Sequence, residues 1–90
     1  AGLIHLTKVS AYELAPGIRV NAIAPGAVLP PPGMDPHGET WQARGERVPL
    51  RRTGHPDYVG QTVVFLARND YITGALIPVD GGEHLVGTLK

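Results

Sequence analysis

The chain has 90 residues and a mass of 9.5 kDa, so it is one small domain or a piece of a larger one. Its formal net charge of +0 gives no broad field for nucleic acid or an anionic membrane surface, and a hydrophobic share of 42% is that of a globular chain. The lack of cysteine excludes disulfides, thiol nucleophiles and thiolate metal sites, and favours a cytoplasmic address. No run approaches the roughly 20 apolar residues of a membrane helix. The opening residues lack the basic run and apolar core of a signal peptide, so none is expected.

"AGLIHLTKVSAYELAP" predicts a helix. Leu3, Leu6, Val9 and Leu14, with Ile4 and Ala11 beside them, make a broad apolar face at spacings of three and four, and Pro16-Gly17 stops it. No N-cap residue precedes Ala1, so the helix begins already under way. Ile18 to Ala24 alternate as a buried strand that ends at Pro25. Residues 25 to 38 form a proline-dense loop, and 39 to 47 a short helix carrying Trp41 and Ala43. "VPLRRTGHP" reads as extended, with a turn at Thr53-Gly54. Asp57 to Ala67 predicts a further helix with Val59, Val63, Phe65 and Leu66 inward, preceded by His55-Pro56. "GALIPVDGG" is a second short strand with a glycine turn; Pro78 cannot donate to a ladder and places it at an edge.

Helix, strand, long loop, helix, strand is the order of a parallel α/β unit with a crossover. Two parallel strands cannot bury both faces of their own sheet. The expected fold is therefore the C-terminal part of a doubly wound Rossmann-type sheet, with residues 1–90 a segment of one domain and incomplete as a standalone fold.

Three pieces stand in a telling order: "RVNAIAPG", the turn and helix start "RTGHPDYV", and "ITG" followed by "VDGG". Together they resemble the C-terminal part of the short-chain dehydrogenases/reductases, over nearly the whole chain. The "ELAPGIRVN" spacing and the "APGAVLPP" loop are most similar to bacterial pteridine reductase-like members. The resemblance implies NADP(H) as cofactor, with NAD(H) the other possibility, and hydride transfer to a pteridine or a small carbonyl substrate. It implies that the family's glycine-rich phosphate loop, catalytic serine and Tyr-x-x-x-Lys pair lie upstream, with Ala1-Gly2 directly after that lysine. On that reading the 90 residues contain no catalytic group and are inactive by themselves. Pro30 stands where related 3-oxoacyl-carrier-protein reductases carry a threonine.

Pro25, Gly26, Ala27, Val28 and Leu29 are the cofactor-binding candidates. Ligands of such folds sit at the C-terminal ends of parallel strands. Gly26 lets a backbone approach closely, and Pro25 fixes the turn. The resemblance implies that backbone groups around Ala27 and Val28 hold the nicotinamide carboxamide; the plain alternative is a strand-ending turn. Pro30-Pro31-Pro32 favours extended, internally unbonded chain. Leu29, Met34 and Trp41 fall in the loop that, by resemblance, covers the substrate, or else they anchor that loop. Asp80-Gly81-Gly82 reads as a structural turn in which Asp80 bonds backbone amides. Tyr12 has Pro16, not lysine, four residues on, and is read as a helix packing or surface residue. Arg51-Arg52 reads as solvated or ion-paired. His5, His37, His55 and His84 are too scattered for a metal site and read as surface or capping residues. The partners implied are the missing N-terminal part of the domain, a small-molecule substrate and further copies in a homotetramer, with Leu85, Val86 and Leu89 at a subunit contact. No nucleic acid or membrane partner is expected. Two other readings remain open: a 3-oxoacyl-carrier-protein reductase, and a non-catalytic structural or oligomer-forming fragment.

Overall fold

A computed structural model describes residues 2–88. Helix α1 spans Gly2–Leu14, strand β1 Ala22–Pro25, helix α2 Glu39–Gly45, helix α3 Pro56–Arg68 and strand β2 Leu76–Val79, followed by a 3₁₀ turn at Glu83–Leu85. The strands are parallel, in the register Ala22↔Leu76 to Pro25↔Val79. The expected order is therefore present, with α2 and α3 carried on the crossover. Pro78 lies opposite Ala24 and is exposed, consistent with its missing donor.

Helix α3 forms where its signals predict, one residue longer at each end. His55 is its extended N-cap and accepts the Asp57 N–H through Nδ1 at 3.1 Å, while Pro56 occupies the first helical position, where its missing N–H costs nothing. Its C-terminal carbonyls are bound by a cation from far along the chain. Arg19 Nη1 donates to the carbonyls of Leu66 (2.9 Å), Asn69 (3.1 Å) and Ile72 (3.1 Å), and Nη2 to Ala67 (3.3 Å). A guanidinium suits this place, because it offers several donors to the negative end of a helix.

Asn21 continues the seam. Its Nδ2 donates to the Ile72 carbonyl at 3.0 Å and its Oδ1 accepts the Ala75 N–H at 2.9 Å. The Val20 N–H reaches Thr73 Oγ1, and the Val20 carbonyl accepts from Gly74. This stitching corrects the predicted strand. Residues 19 to 21 bond to the end of α3 and the approach of β2 largely through side chains, so a regular ladder begins only at Ala22. The strand is also half-buried rather than buried, since these 90 residues supply it with one neighbouring strand.

Other expectations change as well. The segment after α2 is not extended: Val48 N–H bonds Gly45 O and Arg51 N–H bonds Val48 O, and Arg51 enters the left-handed region at φ 63°. Successive turns fold residues 46–52 back on themselves. In α1 the buried positions are Thr7 and Ala11, not the leucine stripe, and Ala11 faces Gly74 closely enough that a Cβ there would lie 3.5 Å away. Leu3, Leu6 and Leu14 stay exposed, because the contact with this chain is made through the small residues. In α3 Leu66 is buried and Val59 half-buried, whereas Val63 and Phe65 are exposed.

Among the described residues the buried apolar side chains are Ala11, Trp41, Val48 and Leu66. That is a slight core for a chain of this length. The radius of gyration is 15.4 Å, against about 12 Å for a compact domain of the same size. Backbone ordering costs roughly 1–2 kcal/mol per residue, which so little burial does not offset. Residues 1–90 expressed alone should therefore lose circular-dichroism signal gradually on heating. A sharp two-state melt of the monomeric chain would contradict this.

Candidate functional site

The two parallel strands end side by side, and the chain beyond each one folds against the other. Gly26 N–H donates to Val79 O at 3.0 Å, the last bond of the ladder. After β2, Asp80 turns the chain: its Oδ1 accepts the Gly82 N–H and its Oδ2 the His84 N–H, both at 3.0 Å, and His84 Nδ1 lies 3.0 Å from both oxygens. Desolvation pushes the Asp80 carboxyl up, but the His84 side chain and the Gly82 and His84 amides outweigh it and hold it below its usual 3.8. The expected Asp80-Gly81-Gly82 turn is thus present, with the residues in the roles foreseen. Gly81 (φ 64°) and Gly82 (φ 92°) both adopt the left-handed conformation it needs.

Gly26 has a use within the chain itself. A Cβ there would sit 2.6 Å from Asp80 Cβ and 2.9 Å from Asp80 Cα. The close approach that glycine allows is first of all the approach of β2's end to β1's end. Pro25 is the last, exposed residue of β1.

The loop that follows is more internally bonded than its prolines predict. Val28 N–H donates to Gly26 O at 2.9 Å, and Ala27 O accepts the Gly54 N–H at 2.8 Å. Pro31 O accepts the Met34 N–H at 3.1 Å, closing a turn around Gly33 at φ 85°. Pro30 to Pro32 therefore lead into a turn rather than continuing as an extended rod. Among the described residues, the amides of Ala27 and Leu29 and the carbonyl of Val28 have no hydrogen-bond partner. Backbone donors and acceptors therefore remain available at the strand end.

A cavity of about 490 Å³ opens beside this loop, walled by Ala27, Val28, Gly54, Tyr58, Val79 and Gly81 among others. It collects two of the five cofactor candidates, Ala27 and Val28. Leu29 is exposed, Met34 half-buried and Trp41 buried, and none of these three lines the cavity. Trp41 at 7% exposure is an anchor of α2. Arg52 lies 5.3 Å from the Tyr58 ring centroid as a cation–π pair, a role the sequence reading did not assign. His55 caps α3 as foreseen, and among the described residues no three acidic or histidine side chains converge on a metal position. No described helix is long and apolar enough to cross a membrane.

The sequence profile of the family described as Enoyl-(Acyl carrier protein) reductase matches residues 1–84. Protein FixR of Bradyrhizobium diazoefficiens is 43% identical over 88 residues, which cover 94% of this chain and 31% of that protein. The 3-oxoacyl-[acyl-carrier-protein] reductase FabG of Thermotoga maritima is 42% identical over 85 residues, covering 91% of this chain and 35% of the reductase. Among solved structures, FolM alternative dihydrofolate reductase 1 from Brucella suis, in complex with NADP, superposes with a TM-score of 0.80 at 42% identity, over 92% of this chain and 33% of that one. The chain spans about a third of the length of the relatives it matches.

Two substitutions test the strand-end geometry in a polypeptide of the relatives' full length. Gly26→Ala should lower stability to urea by about 1–3 kcal/mol, because the backbone of β2 must move. Asp80→Asn should cost about 1–2 kcal/mol at pH 7. The folded Asp80 carboxyl titrates below its unfolded value of 3.8, so its contribution is fully present above that pH and is lost as pH falls through the folded value. The difference between wild type and Asp80→Asn should shrink as pH falls below 3.8. Equal stability of the two at pH 7 would contradict the role given to the turn.

Proposed function

The chain belongs to the short-chain dehydrogenases/reductases, and from that premise we propose that it is the C-terminal segment of an NADP(H)-dependent oxidoreductase acting on a pteridine or small carbonyl compound. The observation that carries the reading is the strand end itself. The unpartnered amides of Ala27 and Leu29 and the carbonyl of Val28 stand at the C-terminal edge of a parallel sheet, where ligands of such folds bind. The cofactor, when bound, supplies the hydride.

Residues of this chain act on position. Pro25 and Gly26 set the end of β1 against Asp80. The Gly54 amide holds Ala27 O, and the Gly26 carbonyl holds the Val28 amide; the neighbouring unbonded groups are the ones assigned to the carboxamide. A loop already bonded in this way has less freedom to lose when a ligand arrives. Leu29, Met34 and Trp41 belong to the segment that covers the substrate, Leu29 by contact and Trp41 by holding α2 down. The proton donor and the lysine beside it are supplied by residues outside these 90. The same reading includes a homotetramer. Leu85 and Val86 are exposed, at 40% and 57%, and suit a subunit contact, while Leu89 lies outside the described residues.

The FolM structure, named as a dihydrofolate reductase with NADP, favours the pteridine substrate. The reductase from Thermotoga maritima, at nearly the same identity, supports a 3-oxoacyl-carrier-protein substrate as the second reading. Both are tested on one protein, this chain within a polypeptide of the relatives' length. NADPH should quench its tryptophan fluorescence saturably, and NADPH oxidation should be faster with a dihydropteridine than with a 3-oxoacyl thioester. The reverse preference would select the second reading; failure to bind NADPH or NADH would overturn both. Pro31→Gly, which loosens the turn closed by Met34, should slow single-turnover hydride transfer while leaving NADPH affinity within about twofold.

A further inference from the structure

Helix α2 is seven residues long and has no side-chain cap at its N-terminus. Two turns of helix do not persist in water without tertiary anchors. Trp41, Arg44 and Gly45, three and four residues apart from Trp41, form its inner face, and Val48 follows in the turn just past its end. Trp41, Gly45 and Val48 are buried, and a Cβ at Gly45 would lie 2.6 Å from the Arg52 carbonyl carbon, so this turn is pressed against the Arg52–Thr53 backbone. The remaining member, Arg44, makes an ion pair with Glu83 of the 3₁₀ turn, both side chains being about one-third exposed.

Glu83 is not an arbitrary surface partner. Its Oε1 would lie 3.1 Å from a Cβ on Gly26, while its Oε2 takes Arg44. One carboxylate thus lies beside the residue that follows β1 and holds the helix that closes the substrate-covering loop. The turn that carries it is fixed by Asp80 and packed under Pro49 and Leu50, whose N–H donates to Gly81 O at 3.0 Å. We propose that Glu83 and Arg44 are positioning residues that set the seat of α2, and through it of Met34 and Trp41, relative to the strand end presenting Ala27 to Leu29. This rests on the functional reading above, since it assigns the loop from Leu29 to Trp41 to the substrate side.

The test uses the polypeptide of the relatives' full length and three variants: Arg44→Met, which keeps length and helix propensity but removes charge, Arg44→Lys, which keeps charge, and Glu83→Gln. Hydrogen exchange of residues 39–45 needs neither cofactor nor activity. It should be faster by about three- to fivefold in Arg44→Met and Glu83→Gln, and near wild type in Arg44→Lys. In steady-state kinetics the same two variants should raise KM for the carbonyl or pteridine substrate by about three- to fivefold, with kcat and NADPH affinity within twofold, and Arg44→Lys should restore KM. Unchanged exchange in Arg44→Met would overturn the latch. Faster exchange with unchanged KM, or with NADPH affinity falling in step, would reduce the pair to a structural contact and overturn the positioning role. A wild-type protein that binds no nicotinamide cofactor would overturn the functional reading and the substrate arm with it, while the exchange measurement would still decide whether the ion pair holds α2.

Discussion

The Asp80 carboxylate accepts two backbone amides just past the end of β2, and the open end of the sheet is arranged around the turn this closes. The turn brings Gly81 and Gly82 into left-handed conformations, and their bare faces admit Val48, Pro49 and Leu50. It places Asp80 Cβ where only glycine fits at position 26. It also projects Glu83 toward α2 and His84 back onto the carboxylate itself. A partly buried charge at this point is held in its ionised form by donors on three sides, which is why its pKa falls despite its desolvation.

The other end of the unit depends on Arg19. Its guanidinium binds carbonyls at the C-terminus of α3, and Asn21 next to it joins β1 to the entry of β2. The "RVN" of the strand motif therefore acts before the strand is regular. It ties together segments about 50 residues apart in sequence, so that the two strands arrive in register and end level. The site at the far end inherits its geometry from this alignment. A slip of one residue between β1 and β2 would separate Gly26 from Asp80 and turn the side chains of one strand to the other face.

Elements with local chemical signals were legible in the sequence. His55-Pro56-Asp57 announces α3, Pro16-Gly17 the end of α1, and Asp80-Gly81-Gly82 a turn held by its own carboxylate; each is present as read. What could not be read was contact over distance. Nothing local says that Arg19 reaches Leu66, or that Gly26 serves Asp80, because such partners follow no period of 2 or 3.6. The same limit explains the helices. Hydrophobic spacing marks an apolar face, but which face is covered depends on what lies opposite. In α1 the covered positions are the small Thr7 and Ala11, with Ala11 against Gly74, and Leu3 and Leu6 remain uncovered within these residues. The proline run misled for another reason. Three prolines suggest a stiff extended rod, yet Gly33 directly after them supplies the positive φ that lets Met34 close a turn.

On the function proposed above, the strand end held by Asp80 presents backbone groups of Ala27 to Leu29 to the nicotinamide. A crystal structure of this chain within a polypeptide of its relatives' length, with NADP(H) bound, measures it most directly. The carboxamide should lie within hydrogen-bonding distance of the main chain of Ala27 to Leu29, with Gly26 still seated against Asp80. A nicotinamide ring bound elsewhere, with those backbone groups turned to solvent, would contradict it.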